Sequence, residues 1–252
     1  MLVKSRSKKN IVVLLTACIN PGETCLVERK NPAQRLADYK KALLFWLKCQ
    51  SLQNIVFCEN SGADLAELRE LVRTNNTYGK TIEFLSFYGQ PPLPSLGKGY
   101  GEMRIISYAL EHSTAVRDAD FVLKVTGRLI INNVQKIIDG ASRITDVHVL
   151  CDLSHSLSFA DSRVFLATPS FLSGYLVPFL DLINDSAGIY FEHVLARAAH
   201  RAMADGLSWT IFPCARDFYG IEGTSNKKIS SSFLKYICRI VLHQIKARIY
   251  LR

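Results

Sequence analysis

The sequence predicts an α/β fold built on a mostly parallel central sheet flanked by helices. Three observations carry that expectation. Ile11–Ala17 is a continuous apolar run, the pattern of a strand buried on both faces. Two further runs, residues 54–58 and 81–87, are strand-like, and each follows a stretch with helical periodicity. Strands that alternate with helices in this way pair in parallel through right-handed crossovers. At 252 residues, 48% of them apolar, the chain has ample material for a core.

The first helix opens at Asn31-Pro32, an N-cap followed by proline at the first helical position, and runs through Arg35, Tyr39, Leu43, Trp46 and Leu47. The second strand ends in Glu59-Asn60-Ser61-Gly62, where Ser61 or Gly62 can cap a helix over residues 63–74. Residues 90–96 are proline-rich and interrupt the pattern. Residues 97–128 then run from a glycine-punctuated basic loop into an amphipathic helix. An apolar strand over residues 121–125 follows and ends on Lys124-Val125-Thr126-Gly127-Arg128. Further on, the pattern predicts a short helix over 133–140, strands over 146–150 and 163–167, and a helix around 171–182. A longer helix is expected over 188–205, stopped by Gly206. No internal repeat or linker is visible, so residues 1–225 read as one domain and residues 226–252 as a basic amphipathic C-terminal helix.

Charge and cysteine content narrow the function classes. The formal charge is +9, and seven of those positive charges lie in residues 226–252, which contain no acid. In that tail Leu234, Ile237, Val241, Ile245 and Ile249 share one helical face, and Lys235, Arg239, His243 and Lys246 share another. Two readings fit: a helix packed on the core with its basic face in solvent, or a helix lying on an anionic membrane surface. In the second, each cation near lipid contributes on the order of 1 kcal/mol. Nucleic acid is not an expected partner, because no aromatic-interleaved basic patch accompanies the charge. The seven cysteines are scattered without a C-x-x-C pair, which argues against both a zinc site and a disulfide framework. Lys4, Arg6, Lys8 and Lys9 before an apolar run mimic a signal peptide. That run is short and is followed by Asn20-Pro21-Gly22-Glu23, so a buried strand and a cytoplasmic location are expected.

The stretch over residues 97–128 carries the clearest chemistry. A glycine turn opening a helix offers backbone N–H groups and a positive dipole end to an anion. Lys124 and Arg128, bracketing Thr126-Gly127 at a strand end, add cationic ligands. Together they read as a site for a diphosphate-bearing ligand. The bland alternatives are a simple glycine turn with a helix-capping acid at Lys98, Gly99, Gly101 and Glu102, and a structural ion pair for Lys124, since a lysine in an apolar strand needs a partner.

The order of several short pieces resembles bacterial glycosyltransferases that build capsules, O-antigens and other surface polysaccharides. These pieces are LLTACINP with RLADY shortly after, IVFCENSG, GKGYGEM, ADFVLKVTGR, ADSRVF, YFEHVLA and a closing FP–YGIEGTS. The resemblance implies a GT-A-like fold, a nucleotide-sugar donor (a UDP-sugar by expectation) and a saccharide acceptor, often lipid-linked. It would place Thr16 and Arg35 on the nucleotide, Glu59 and Asn60 at the edge of the base or ribose pocket, and Lys98, Gly99, Glu102, Lys124, Thr126 and Arg128 around the diphosphate. Arg35 can equally be a solvated helix residue, and Glu59-Asn60 an ordinary turn.

Metal-dependent GT-A members usually carry Asp-x-Asp at the end of a strand. Here Asp118-Ala119-Asp120 precedes its strand, and Lys124 to Arg128 stand where the metal site would be. Neither a cofactor nor a divalent metal is therefore expected, with cations neutralising the departing diphosphate. For the base that deprotonates the acceptor, Glu192 in YFEHVLA matches the acceptor-side acid of such folds, with His193 beside it. An acid at a helix start also simply complements the dipole. Asp152 and Asp161 compete for the role. With Glu192 as sole base, direct displacement with inversion is expected.

Overall fold

The computed structural model describes residues 9–229 and 233–250. Along the chain, β1 (Ile11–Ala17) leads to α1 (Pro32–Lys48), β2 (Asn54–Glu59), α2 (Ala66–Asn75) and β3 (Thr81–Ser86). There follow α3 (Gly97–His112), the short α4 (Thr114–Arg117), β4 (Phe121–Thr126), β5 (Ile130–Ile131) and α5 (Val134–Ala141). Next come β6 (Val149–Leu150), the hairpin β7–β8 (Leu153–Ser154 and Phe159–Ala160), β9 (Val164–Ala167) and α6 (Pro169–Phe171). The chain closes with α7 (Phe191–Ala204), β10 (Trp209–Thr210), β11 (Phe218–Ile221), β12 (Lys228–Ile229) and α8 (Phe233–Tyr250).

Seven strands form the central sheet in the order β10-β6-β9-β4-β1-β2-β3. All neighbours are parallel except where β9 meets β4 and β6. The reversal has a simple cause. A parallel return needs a crossover of a dozen or more residues, usually a helix, whereas the chain between β6 and β9 is occupied by the β7–β8 hairpin. A smaller sheet, β12-β11-β5, lies beside this framework.

The sheet is covered on both sides, which explains the uninterrupted apolar run in β1. Ile11, Val13 and Leu15 face Tyr39, Leu43 and Trp46 of α1 and Ile137 of α5. Val12 and Leu14 face Met103 and Ile106 of α3 and Val194 and Leu195 of α7. Each such fully buried aliphatic or aromatic side chain contributes roughly 1.5–3 kcal/mol relative to exposure.

Several boundaries depart from the sequence pattern for local reasons. The α1 cap is as expected, with Asn31 Oδ1 accepting from the Gln34 N–H at 3.1 Å. Helix α2 starts three residues late, because Ser61 directs its hydroxyl to Glu59 and Asp64 accepts the Ala66 N–H at 2.9 Å instead. The glycine stretch expected as a loop is already helical from Gly97. Residues 172–182 form a π turn and a 3₁₀ segment rather than one helix. Pro178 removes a backbone donor there. Asp146 sits in the left-handed region (φ 57°), which shortens the strand expected over 146–150 to β6. Gly188 (φ 77°) delays α7 to Phe191 in the same way.

Helix α8 packs against the body through its basic side, the side that the packed-helix reading left in solvent. Lys246 Nζ donates to the Leu153 carbonyl at 3.0 Å, and Tyr250 meets Trp209 edge-on with ring centroids 5.5 Å apart. Burial lowers the His243 pKa, with the Asp152 carboxylate opposing and the Arg216 charge assisting that shift. The apolar residues Ile237, Val241, Ile245 and Ile249 point outward. The side chains of Leu234 and Lys235 lie outside the described part.

Candidate active site

A cleft of about 470 Å³ opens at the carboxyl ends of β1 and β4. Ligands of open parallel sheets bind at such an edge. Of the residues picked from sequence, Thr16, Arg35, Asn60, Lys98, Gly99, Glu102, Thr126, Arg128 and Glu192 line it, as does Asp161. Glu59, Lys124, Asp152 and His193 are not among its lining residues.

Glu102 forms part of the floor, with Lys124 beneath it. Lys124 pairs in register with Leu14 of β1 and Phe165 of β9, so its side chain shares the layer that faces α3 and α7. It is fully buried, and its ammonium lies 2.5 Å from Glu102 Oε1. It also donates to the Ser162 carbonyl and sits between the Phe165 and Phe191 rings at 5.7 and 5.6 Å. Glu102 Oε1 further accepts the hydroxyls of Thr16 and Thr126 at 2.9 and 3.2 Å. Burial works to raise the Glu102 carboxyl; the Lys124 charge and the hydrogen bonds outweigh it and hold it below its usual value. The expected two-cation clamp at the strand end therefore has one free arm: the Lys124 charge is already neutralised beneath the cleft.

Arg128 is that arm. After β4, Gly127 donates its N–H to the Thr16 carbonyl at 2.8 Å, and a Cβ there would fall 2.8 Å from the same oxygen, so glycine is what lets the turn form. The turn delivers Arg128 into the cleft at 8% exposure. Its guanidinium lies 6.0 Å from the Tyr39 ring centroid on one side. On the other it faces Gly223, where a Cβ would stand 2.6 Å from Nη2. Nε and Nη1 have no hydrogen-bond partner among the described residues. Burial lowers its pKa, with the Arg35 charge acting in the same direction. Guanidinium nevertheless remains charged in proteins.

Arg35 adds positive field and holds a loop. Its donors reach the Cys18 carbonyl at 2.6 Å, the Arg29 carbonyl at 3.1 Å and the Tyr39 hydroxyl at 3.4 Å, all neutral acceptors. Lys98 reaches across from α3 to the Thr224 hydroxyl, so the turn after β11 straps the cleft.

Glu59 is fully buried and its carboxylate accepts the N–H groups of Ile19, Ser61 and Ala63, which makes it the anchor of two turns. Its neighbour Asn60 does face the cleft. Asn60 Nδ2 donates to the Gly101 carbonyl at 3.1 Å, while its buried Oδ1 has no partner among the described residues.

The remaining acids divide by their partners. Asp152 and Asp161 share Arg216, and Asp161 also holds Arg163 at 2.8 Å. Burial would raise the Asp161 carboxyl, but the Arg216 and Arg163 charges hold it far below its usual value. Both acids are thereby committed to ion pairs. His193 accepts the Tyr190 N–H at its Nδ1, 3.1 Å away, and thus caps α7. Glu192 lines the cleft and accepts the Ser162 hydroxyl at 2.7 Å.

Asp185 escaped the sequence reading. It is buried, lines the cleft, and Oδ2 accepts the Gly99 N–H at 3.2 Å. The anion position expected at the glycine-rich start of α3 is thus taken by a carboxylate of the chain itself. Any Cβ at Gly97 would lie 2.2 Å from Asp185 Oδ2. Oδ1 has no partner among the described residues, and burial raises the pKa. The contact joins residues 86 positions apart, and no local motif marks Asp185.

The far wall is the β7–β8 hairpin, which contributes Ser154, His155 and Phe159. At its tip His155, Ser156 and Leu157 all have positive φ (49°, 55° and 67°). Consecutive left-handed non-glycine residues cost of order 1–2 kcal/mol each, and such strain clusters at functional sites.

The Asp118-Ala119-Asp120 pair is not part of this donor set. Asp120 lies at the opposite edge of the sheet, accepting the Asn10 N–H at 2.7 Å. Among the described residues no group of three or more His, Cys, Asp or Glu side chains is placed to hold an ion.

No protein-family profile matches the chain, and no curated protein sequence does. Solved structures do. The glycosyltransferase GlyE of Streptococcus pneumoniae TIGR4 superposes with a TM-score of 0.51 at 10% identity, over 82% of this chain and 46% of that one. A mannosyltransferase of Pyrobaculum calidifontis, in complex with GDP-Man and Mn²⁺, gives 0.47 at 11% identity, over 96% and 63%. A cytidylyltransferase of Leptospira borgpetersenii gives 0.45 at 13% identity, over 96% of both chains. At these identities the likeness concerns the fold, which is α/β and GT-A-like.

Proposed function

We propose that the chain is a glycosyltransferase that moves a sugar from a nucleoside-diphosphate sugar, a UDP-sugar in the first instance, to a saccharide acceptor. The observation that carries this reading is Arg128: a buried guanidinium with two nitrogen atoms that have no partner among the described residues, lining a cleft at the carboxyl edge of the sheet. A buried cation of this kind calls for an anion, and Arg suits bidentate contact with phosphate oxygens. Arg35 and Lys98 line the same cleft. The fold likeness to the glycosyltransferase GlyE supports the same assignment.

In this mechanism the diphosphate lies against Arg128 and Lys98, and the nucleoside extends toward Asn60. Glu192 accepts the proton of the acceptor hydroxyl. That oxygen attacks the anomeric carbon from the opposite side, the bond from that carbon to the diphosphate oxygen breaks, and its electron pair leaves with the nucleoside diphosphate. Inversion follows. Arg128 and Lys98 neutralise the growing charge on the leaving group, the task a metal performs elsewhere. Asp185 Oδ1 accepts a sugar hydroxyl. The aromatic hairpin wall, with Phe159 and His155, receives the acceptor, which the surface-polysaccharide resemblance suggests is lipid-linked.

Thermal-shift binding against UDP, GDP, CMP and ADP, each with EDTA and with Mn²⁺, tests the donor site. At about a hundred times its Kd, a ligand adds roughly 2.7 kcal/mol. A shift with one nucleoside diphosphate that survives EDTA supports the assignment; a shift that requires Mn²⁺ overturns the metal-free mechanism. Release of pyrophosphate from a nucleoside triphosphate and a sugar phosphate would replace sugar transfer by nucleotidyl transfer. Glu192→Gln should lower kcat about 10²–10⁴-fold with nucleotide binding intact.

A further inference from the structure

We infer that the outward face of α8 is a docking surface for an anionic phospholipid bilayer, with the helix lying in the plane of the interface. The exposed side of the helix is apolar: Ile237, Val241, Leu242, Ile245 and Ile249 are 39, 48, 59, 49 and 64% exposed. At about 100° per residue they fall within one continuous arc. Monomeric proteins seldom leave so concentrated an apolar stripe in water. The polar side, by contrast, is already engaged with the body through Lys246 and Tyr250. The orientation is thus the reverse of a helix whose polar face serves as its solvated side.

Charge selects the occupant. Residues 226–252 contain no Asp or Glu, and Arg248 is exposed within the arc, between Ile237 and Val241 in helical angle, with Arg239 and Lys246 half-buried at its flank. A second copy of the chain would set cations against cations across the interface, whereas anionic headgroups complement them. Nucleic acid would need a cationic outer face, and the outer face is mostly hydrocarbon. No helix among the described residues is long and apolar enough to cross a membrane, so the contact is with the surface. In-plane amphipathic helices bury their apolar face to the acyl boundary, with cations adding attraction to anionic lipid. Because Lys246 bonds to Leu153, the hairpin wall of the cleft then stands about one helix diameter, roughly 10 Å, from the bilayer. The docking itself does not depend on which reaction the cleft performs.

Flotation of the full chain with vesicles of phosphatidylcholine alone, and of phosphatidylcholine with one quarter phosphatidylglycerol, tests the surface. The expected result is flotation with the anionic vesicles, weakened by salt. The double variant Ile245→Asn with Ile249→Asn, both exposed and outside the cleft, should lower the bound fraction by at least about tenfold, given the apolar area withdrawn from lipid. Its thermal stability and any nucleotide response should match the parent chain, which separates lost docking from lost folding. Failure to float with anionic vesicles, or undiminished flotation of the double variant, overturns the inference. So does a parent dimer in sedimentation that the double variant converts to monomer, which would assign the face to a second copy.

Discussion

Lys124 and Arg128 stand four residues apart, around the same strand end, and both are buried cations, yet they have opposite surroundings. Lys124 is still within β4, where the two-residue pleat directs it into the layer between sheet, α3 and α7. There Glu102 neutralises it and two phenyl rings enclose it. Arg128 lies beyond the Gly127 turn, where the pleat no longer governs direction, and its guanidinium enters the cleft with two nitrogens unpartnered among the described residues. One cation is satisfied by the fold; the other has no matching acceptor among the described residues, and the proposed donor site rests on it. The comparison shows that a basic residue in a candidate phosphate site is best judged by whether its charge is already matched.

Four experiments break or sharpen that contrast. Lys124→Met should be the most damaging to stability, because it leaves the half-buried Glu102 carboxylate uncompensated; removing one partner of a buried pair costs about 3–5 kcal/mol, an upper bound here because Glu102 borders the cleft. The melting temperature should fall by on the order of 10 °C. Adding Glu102→Gln should recover much of it, and a double variant as unstable as the single one would show that the lysine does more than balance Glu102.

Arg128→Met should behave in the opposite sense. Removing an unmatched buried charge should leave thermal stability unchanged or raised, while nucleoside diphosphate binding weakens roughly tenfold to a hundredfold, the scale of charged hydrogen bonds. Loss of folding without loss of affinity per folded molecule would make Arg128 structural and remove the basis for the donor site.

Acid titration examines the matched charges together. Glu102 and Asp161 both have folded pKa values below their ordinary ones. The unfolded chain therefore binds more protons as pH falls below about 4.5, and the stability these carboxylates contribute is lost progressively from there downward. Asp161→Asn should flatten that decline in urea melts across pH 2–5. Asp185, whose pKa is raised by burial, acts in reverse: its ionisation penalises the folded state above its folded pKa. Asp185→Asn should remove that penalty.

The smallest effect is expected at the strap. Thr224→Val deletes the hydroxyl that holds Lys98, a partly exposed contact, and should change nucleotide affinity by less than about fivefold, the scale of one modest hydrogen bond. A larger loss would assign the turn after β11 a direct role in holding the donor.

Much of the framework was legible in the residues because it is governed by local rules. The apolar run of β1, the Asn31-Pro32 helix start and the alternation of strands with helices follow from burial, capping and periodicity, and they yield the parallel sheet and put Thr16 and Arg128 at its carboxyl edge. The reversed strand β9 was hidden, since direction depends on what connects two strands and not on the strand's own composition.

Within the site, sequence supplied the residue types and tertiary structure decided their use. Nothing local distinguishes Lys124 from Arg128 as a ligand; the register of β4 against β1 and β9 does. Nothing local marks Asp185, which becomes part of the cleft only because α3 packs against the segment before α7. The apolar stripe of α8 is plain in the sequence, since helical periodicity is a local property. That it faces outward, with Lys246 turned onto the body, was settled by which side of the helix found partners there.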